Sequence, residues 1–129
     1  LLFICYYWTM KISKMSSCDH FATYRVASAY IKNKVEDAGL PLPEVGIICG
    51  SGLSGLSSTL TNTLTVSYVD IPNFPDVSVV GHSGEVVIGS LTERKVPTIC
   101  FRGRFHSYEG HDMNTVALPV RVMRCLGVK

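Results

Sequence analysis

Nine residues in the last quarter of the chain carry side chains suited to binding an anion. Residues 102–110 contain two arginines, a histidine, a tyrosine and a glutamate, with glycines at positions 103 and 110. A guanidinium group can hold an oxyanion through two parallel hydrogen bonds, and a neighbouring imidazole adds a donor or carries a proton. The sequence therefore predicts an anion site here, and a solvated basic turn is the alternative interpretation.

A second candidate for anion binding is the glycine-rich stretch at residues 50–55, which contains Ser51. It follows an apolar run at residues 44–49 that is typical of a strand inside a parallel sheet. Glycines let main-chain N–H groups converge on a phosphate, and Ser51 adds a hydroxyl. The segment that follows, to about Leu60, is expected to form a short helix whose N-terminus faces the loop.

The same glycines match the dinucleotide-binding pattern Gly-x-Gly-x-x-Gly, with Asp70 near the position of a ribose-binding acid. That pattern requires a full crossover helix after the glycines and an apolar strand that ends at the acid. Here the polar residues 61–63 leave room only for a short helix, and residues 64–70 alternate between apolar and polar side chains. A phosphate-binding loop is favoured, and a dinucleotide-binding domain remains an alternative.

Two further segments contain histidines that could take part in chemistry. His82 lies in a glycine-flanked segment, which predicts a mobile loop that brings an imidazole to an anion, although a histidine in a surface turn would have the same pattern. The spacing of His106, Glu109 and His111 matches no zinc motif, so no metal site is predicted.

The elements that must position these groups can be recognised from their patterns. Apolar residues at helical spacing predict a helix from Asp19 to about Ala38, stopped by Gly39. Residues 85–91 and 96–101 predict a hairpin with its turn at 92–95, and Pro97 is expected near a sheet edge or before full pairing. Apolar positions 116, 118, 120, 123 and 126 predict a final helix over residues 113–126, kinked or split by Pro119.

Composition limits the class of protein. The 129 residues suit one small domain, and 47% apolar with 17% charged residues indicates a globular chain. A formal net charge of +2 is too small to indicate a nucleic-acid or membrane partner. Five cysteines, an odd number without a Cys-x-x-Cys pair, are best explained as buried free thiols in a reducing compartment.

Residues 1–18 are interpreted as leader or upstream sequence of irregular structure, and residues 19–129 as part of a single domain. The apolar run at residues 1–8 is too short to cross a bilayer. A remnant of a signal peptide is the alternative for this run.

Several of these motifs together resemble the purine nucleoside phosphorylases of the trimeric, inosine- and guanosine-cleaving type. The motifs are Gly-Ser-Gly-Leu at 50–53, Ile-Pro-Asn-Phe-Pro at 71–75, Gly-His at 81–82, Gly-Arg-Phe-His at 103–106 and Tyr-Glu-Gly at 108–110. They occur in the family's order and at matching intervals. The resemblance covers about residues 44–128 and implies an α/β fold of three layers, α/β/α, around a mixed sheet, of which this chain is the N-terminal part.

The resemblance also implies a reaction and roles for individual residues. Phosphate would attack C1′ of a purine ribonucleoside or deoxyribonucleoside, which gives the free base and (deoxy)ribose 1-phosphate in purine salvage, with no cofactor besides phosphate as co-substrate. By resemblance Ser51, His82, Arg104, the Phe105 amide and His106 bind phosphate. Tyr108 contacts the ribose. Glu109 orients His106, and these two residues are the expected catalytic pair.

The resemblance further implies a cytoplasmic protein that forms a homotrimer when full length and has no nucleic-acid or membrane partner. Arg102 departs from the family pattern, which often has glutamine at this position, and adds a charge beside Arg104. The purine-recognising residues of the family lie beyond Lys129, so this chain alone is expected to be inactive. A methylthioadenosine phosphorylase-like enzyme and a truncated, non-catalytic binding subunit remain alternatives.

Overall fold

The computed structural model describes residues 19–50, 53–75 and 84–129. Predictions for residues 1–18, Ser51 and His82 lie outside these ranges. The helices are α1 (Asp19–Asp37), α2 (Met113–Val116) and α3 (Leu118–Leu126), and the strands are β1 (Val45–Cys49), β2 (Thr61–Ser67), β3 (Glu85–Leu91) and β4 (Val96–Arg102). Short 3₁₀ helices occupy Ser54–Thr59, Tyr68–Asp70 and Ser107–Glu109.

The four strands form one mixed sheet in the order β1-β4-β3-β2. Strand β1 is parallel to β4, whereas β3 is antiparallel to both β4 and β2. The predicted β3–β4 hairpin is confirmed, and Thr92 and Lys95 in its turn have the positive φ angles that tight turns require. Pro97 is the second residue of the inner strand β4, and the pairing of β4 with β1 begins only after it, at Thr98. The prediction that Pro97 precedes full pairing is therefore confirmed.

Alternate residues of the central strands pack on opposite faces of the sheet. One face packs against α1, α3 and a group of aromatic side chains, and forms the main core. On the other face Cys49, Val87 and Cys100 pack against Leu60 and Leu56, which belong to the segment that contains the first 3₁₀ helix. Within the described ranges the sheet therefore carries α-helices on one face and a 3₁₀ helix on the other.

Helix α1 packs through the predicted spacing, since Tyr24, Ala27, Ile31 and Val35 are buried. Two other apolar positions at this spacing are not buried: Phe21 lies on the solvent side of the first helical turn and is 61% exposed, and Ala38, which follows the end of the helix, is exposed. The predicted final helix is split into α2 and α3, with Pro119 in the first turn of α3. Gly127 ends α3 in the left-handed conformation, as predicted.

The split of the final helix changes which of its valines is buried. Val120 was predicted to be apolar contact surface but is 54% exposed, whereas Val122 is completely buried. The reason is that Ala117 separates the two helices. The helical spacing of buried residues therefore starts again in α3 and does not continue from residue 113.

The dinucleotide-binding interpretation is not supported by this fold. The segment after Gly50 forms a 3₁₀ helix of six residues, Ser54–Thr59, in place of a crossover α-helix. Strand β2 then pairs antiparallel to β3, and Asp70 lies exposed in the second 3₁₀ helix. A dinucleotide fingerprint needs a parallel strand–helix–strand unit, which this connection does not form.

The cysteines in the described ranges are free thiols. Cys49 and Cys100 are buried with their Sγ atoms 3.2 Å apart, as expected for thiols inside strands. Cys125 was also expected to be buried but is exposed, because it lies on the outer side of α3. None of the helices in the described residues is both long and apolar enough to cross a membrane.

Candidate active site

The candidate site lies next to a row of paired residues at one end of the sheet, where the four strands end or begin. Cys49 is paired with Arg102, Arg102 with Glu85, and Glu85 with Ser67. Strands β1, β2 and β4 therefore end, and β3 begins, at the same end of the sheet. Ser51, Arg104 and Tyr68 follow this row by one or two residues, and His82 precedes it by three. The row thus brings together the strand ends that lie next to Ser51, Tyr68, His82 and Arg104 along the chain.

The loop after β4 is held in position by its glycine and its phenylalanine. Gly103 adopts φ 109°, a value that turns the chain away from the strand direction, and its N–H donates to the Cys49 carbonyl at 3.4 Å. Phe105 is only 2% exposed and contacts the rings of Tyr68, Phe74 and His111. Because Phe105 is anchored in the core, its neighbours Arg104 and His106 remain at the surface.

Arg104, His106 and Tyr108 form a contiguous group. The Arg104 Nε donates to the His106 Nε2 at 3.1 Å, and the imidazole stacks on the Tyr108 ring with centroids 4.6 Å apart. Because Nε2 accepts a hydrogen bond, the proton of the neutral ring lies on Nδ1 and remains available as a donor. The terminal guanidinium nitrogens of Arg104 make no hydrogen bond to other described residues, and the arginine is exposed. This group can offer several N–H donors to one anion.

Glu109 contacts the main chain of His106 in place of its ring. The carboxylate Oε2 accepts a 2.8 Å hydrogen bond from the His106 N–H, and lies 3.9 Å from Nε2 of His111. This contact closes the Ser107–Glu109 turn, which ends at Gly110 with φ 89°. The Glu109 carboxylate therefore contacts the main chain of His106, whereas the imidazole ring contacts Arg104 and Tyr108.

Arg102 does not contribute a free charge beside Arg104, contrary to the sequence-based expectation. Its NH1 group forms an ion pair with Glu85, the residue directly opposite on β3. The pair is partly buried, and Nε of Arg102 has no hydrogen-bond partner among the described residues. Antiparallel pairing places residues 85 and 102 face to face, so the charge of Arg102 is balanced within the sheet.

Tyr68 is a candidate functional residue that the sequence analysis missed. Its side chain is 1% exposed, and its hydroxyl donates a 2.7 Å hydrogen bond to the carbonyl of Gly103. In the sequence Tyr68 is one member of an alternating apolar run, and nothing in that pattern indicates a partner 35 residues away. The Arg102–Glu85 pair did have a signal, because the two residues are equally far from the centre of the predicted hairpin turn.

The predicted site residues thus fall into two groups. Arg104, Phe105, His106, Tyr108 and Glu109 lie together in the loop after β4. Ser51 and His82 lie outside the described residues. Across the described part of the chain, no group of three His, Cys, Asp or Glu side chains is arranged to hold a metal ion.

Comparison with known proteins shows what this arrangement is similar to. No family model matches the chain. Purine nucleoside phosphorylase 1 of Bacillus subtilis is 44% identical over 103 residues, which is 80% of this chain and 36% of that protein. Purine nucleoside phosphorylase of Bos taurus is 49% identical over 87 residues, 67% of this chain and 29% of that protein.

A solved structure of purine nucleoside phosphorylase from Schistosoma mansoni superposes with a TM-score of 0.73 at 44% identity. The match covers 84% of this chain and 38% of that one. The chain is therefore homologous to these proteins, has the fold of the corresponding part of their domain, and spans about a third of the length of the relatives it matches. The expected mixed-sheet phosphorylase fold is confirmed for this part.

Proposed function

We propose that this chain, a homologue of the purine nucleoside phosphorylases, forms the phosphate-binding part of an enzyme that cleaves purine nucleosides with inorganic phosphate. The observation that carries the proposal is the row Cys49–Arg102–Glu85–Ser67. Along the chain, the glycine-rich segment and the loop of Arg104 follow two of these strand ends, and the segment of His82 precedes a third. Loops that follow or precede strands at the same end of a sheet can present their hydrogen-bond donors to a single anion.

Relatives with related ligands support this choice of substrate. The Schistosoma mansoni enzyme has been solved with adenosine, and its isoform 2 with cytosine and ribose-1-phosphate. A nucleoside and a pentose phosphate are the two sides of a phosphorolysis, in which a phosphate oxygen bonds to C1′ while the bond from C1′ to the base breaks. The site must therefore hold phosphate below the sugar as positive charge develops on the ribose ring.

Each loop residue has a role in this proposal that follows from its surroundings. The free guanidinium nitrogens of Arg104 bind two phosphate oxygens, because a planar fork matches their geometry. The Phe105 N–H, Ser51 and the imidazoles of His82 and His106 supply further donors. Tyr108, which is 77% exposed on the face of His106, contacts the ribose. Glu109 holds the loop closed and thereby orients His106.

Phosphate acts as co-substrate, and the proposed reaction needs no further cofactor. The complete enzyme is proposed to be a cytoplasmic homotrimer of purine salvage, with inosine and guanosine as substrates. Because the chain matches only about a third of its relatives, the residues that recognise the purine are assigned to the remainder of such an enzyme. The isolated chain is accordingly proposed to bind phosphate without cleaving nucleosides.

Two experiments test the proposal. Titration of the isotope-labelled chain with inorganic phosphate, followed by NMR, should shift the amide signals of the loop after β4, while chloride at equal ionic strength should not. In the second experiment, the part of this chain that matches the Bacillus subtilis protein replaces the corresponding region of that protein, and phosphate-dependent cleavage of inosine and guanosine is measured. Cleavage of these nucleosides supports the proposal. A folded chimera that does not cleave them, or no phosphate binding by the chain, contradicts it.

A further inference from the structure

Tyr68 lies at a position from which one buried residue can hold the loop of Arg104 in the proposed phosphate site. It is the first residue of the 3₁₀ helix Tyr68–Asp70, directly after the end of β2. Its hydroxyl donates to the Gly103 carbonyl at 2.7 Å, and its main-chain N–H donates to the Gly84 carbonyl at 2.8 Å. Gly103 precedes Arg104, and Gly84 follows the segment that contains His82.

Both of the acceptor residues are glycines in a conformation that other residues avoid. Gly84 has φ 50° and Gly103 has φ 109°. At Gly103 the chain changes direction between β4 and the loop of Arg104, so the orientation of this carbonyl sets the direction in which that loop leaves the sheet. A donor fixed on the Gly103 carbonyl therefore limits how far the loop of Arg104 can move, and the hydrogen bond to Gly84 anchors Tyr68 itself beside the start of β3.

The surroundings of Tyr68 make it a rigid donor. Its ring contacts Phe74, Phe101 and Phe105 at centroid distances of 5.1, 6.1 and 5.6 Å, and the residue is 1% exposed. Burial, followed by the nearby Cys100, Cys49 and Glu85, raises the pKa of the Tyr68 phenol well above its ordinary value. The hydroxyl thus keeps its proton and continues to donate throughout the neutral and mildly alkaline range.

We infer that Tyr68 is a positioning residue of the phosphate site, which holds the loop of Arg104 through the hydrogen bond from its hydroxyl to the Gly103 carbonyl. Tyr68 does not touch phosphate in this account. It acts through Gly103 on the direction of the Arg104 guanidinium and the Phe105 N–H. The inference rests on the proposed function for its effect on phosphate, whereas its effect on the loop stands on the contacts alone.

The chain offers a matched control for this inference. Tyr24 is also buried, at 3% exposed, and its hydroxyl has no hydrogen-bond partner among the described residues. Tyr24→Phe and Tyr68→Phe therefore make the same chemical change in the same core. Only Tyr68→Phe removes a hydrogen bond to the loop.

The test compares both variants in the full chain by phosphate titration and by hydrogen exchange. Tyr68→Phe should raise the dissociation constant for inorganic phosphate by about 5- to 30-fold, because one buried hydrogen bond is lost. It should also speed amide exchange in residues 104–110 by about tenfold relative to α1. Tyr24→Phe should leave both quantities within about twofold. Equal behaviour of the two variants in exchange overturns the inference.

A second measurement on the unmodified chain keeps the inference testable if Tyr68→Phe does not fold. The hydroxyl proton of Tyr68 should be visible by NMR, with slow solvent exchange and a through-space contact to the α-protons of Gly103. Rapid exchange of this proton would overturn the inference. If the unmodified chain binds no phosphate, the proposed function fails, while the exchange comparison still decides whether Tyr68 holds the loop.

Discussion

Arg102 and Arg104 are two residues apart, yet their surroundings give them different tasks. Arg102 is still part of β4 and is paired with Glu85 across the sheet. Arg104 follows the turn at Gly103 and is exposed, with only its Nε bonded to His106. The charge of Arg102 is therefore balanced by Glu85 within the sheet, whereas the exposed charge of Arg104 can face a ligand.

Substitution of Arg104 tests the second of these tasks. Arg104→Lys should weaken phosphate binding about tenfold, because an ammonium group keeps the charge but loses the planar, two-point contact. Calorimetric titration with phosphate measures this. Arg94→Lys, in the exposed hairpin turn, is the control and should bind like the unmodified chain. Unchanged affinity in Arg104→Lys would contradict the assignment of Arg104.

Substitution at the Arg102–Glu85 pair tests the first task. Glu85→Gln should lower the free energy of unfolding by about 1–2 kcal/mol, because it leaves a partly buried guanidinium without its counter-charge. Urea denaturation measures the loss, with Glu93→Gln in the exposed turn as the control. The same experiment on Arg102→Gln should show lower stability with unchanged phosphate affinity. Weaker phosphate binding by Arg102→Gln would instead place Arg102 in the site.

At the scale of elements, α3 and β1 pack so closely that β1 requires a glycine. A Cβ at Gly46 would lie 2.2 Å from Sδ of Met123 and 3.2 Å from Cγ1 of Val128. Helix α3 therefore lies very close to β1, in the same sheet whose strand ends lie next to the candidate site. The close approach of helix and strand thus accounts for Gly46 in a strand that is otherwise apolar.

The close packing at Gly46 predicts a destabilising variant. Gly46→Ala should cost about 1–3 kcal/mol of unfolding free energy, because Met123 must move or leave a preferred rotamer. Gly55→Ala is the control, since a Cβ there has no atom within 4 Å, and its effect should stay within about 0.5 kcal/mol. Denaturation of Gly46→Ala, Met123→Ala and the double variant should show a loss smaller than additive by about 0.5 kcal/mol or more. Strict additivity would mean that the two residues do not clash.

For the whole molecule, buried groups that must remain neutral determine how stability depends on pH. Burial, with a smaller contribution from the hydrogen bond and proximity to Cys49, raises the pKa of Cys100 to about 12, against the opposing effect of Arg102. The pKa of Tyr68 is raised as well. A group whose pKa is higher in the folded chain than in the unfolded chain makes its full contribution to stability at pH values below its unfolded-state pKa. That contribution is lost as the pH rises toward the folded-state pKa.

Stability should therefore decrease on the alkaline side. Between about pH 9 and pH 10.5 the unfolded chain ionises Cys100 while the folded chain does not, which should lower the free energy of unfolding by about 1–2 kcal/mol. Urea denaturation at pH 8, 9, 10 and 10.5 measures the slope. Cys100→Ala should flatten it, and Cys125→Ala, at an exposed thiol, should not. Identical slopes in all three proteins would contradict this explanation.

The sequence alone determined the elements and the loop that carries the chemistry. Apolar spacing predicted α1 and the β3–β4 hairpin, and Pro119 predicted the divided final helix. The motifs at residues 50–53, 71–75, 81–82 and 103–110 together predicted the homology to phosphorylases. These features are readable because each depends on residues that are close along the chain. Local periodicity, turn residues and motif spacing are properties of the sequence itself.

Only the tertiary structure decided which groups act together. It attached the hydroxyl of Tyr68 to Gly103 and brought Cys49 beside Cys100. The hydroxyl contact joins residues 35 positions apart and the thiol contact joins residues 51 positions apart. Such contacts depend on strand order and register, which place distant residues in one row, and a single sequence does not state that order.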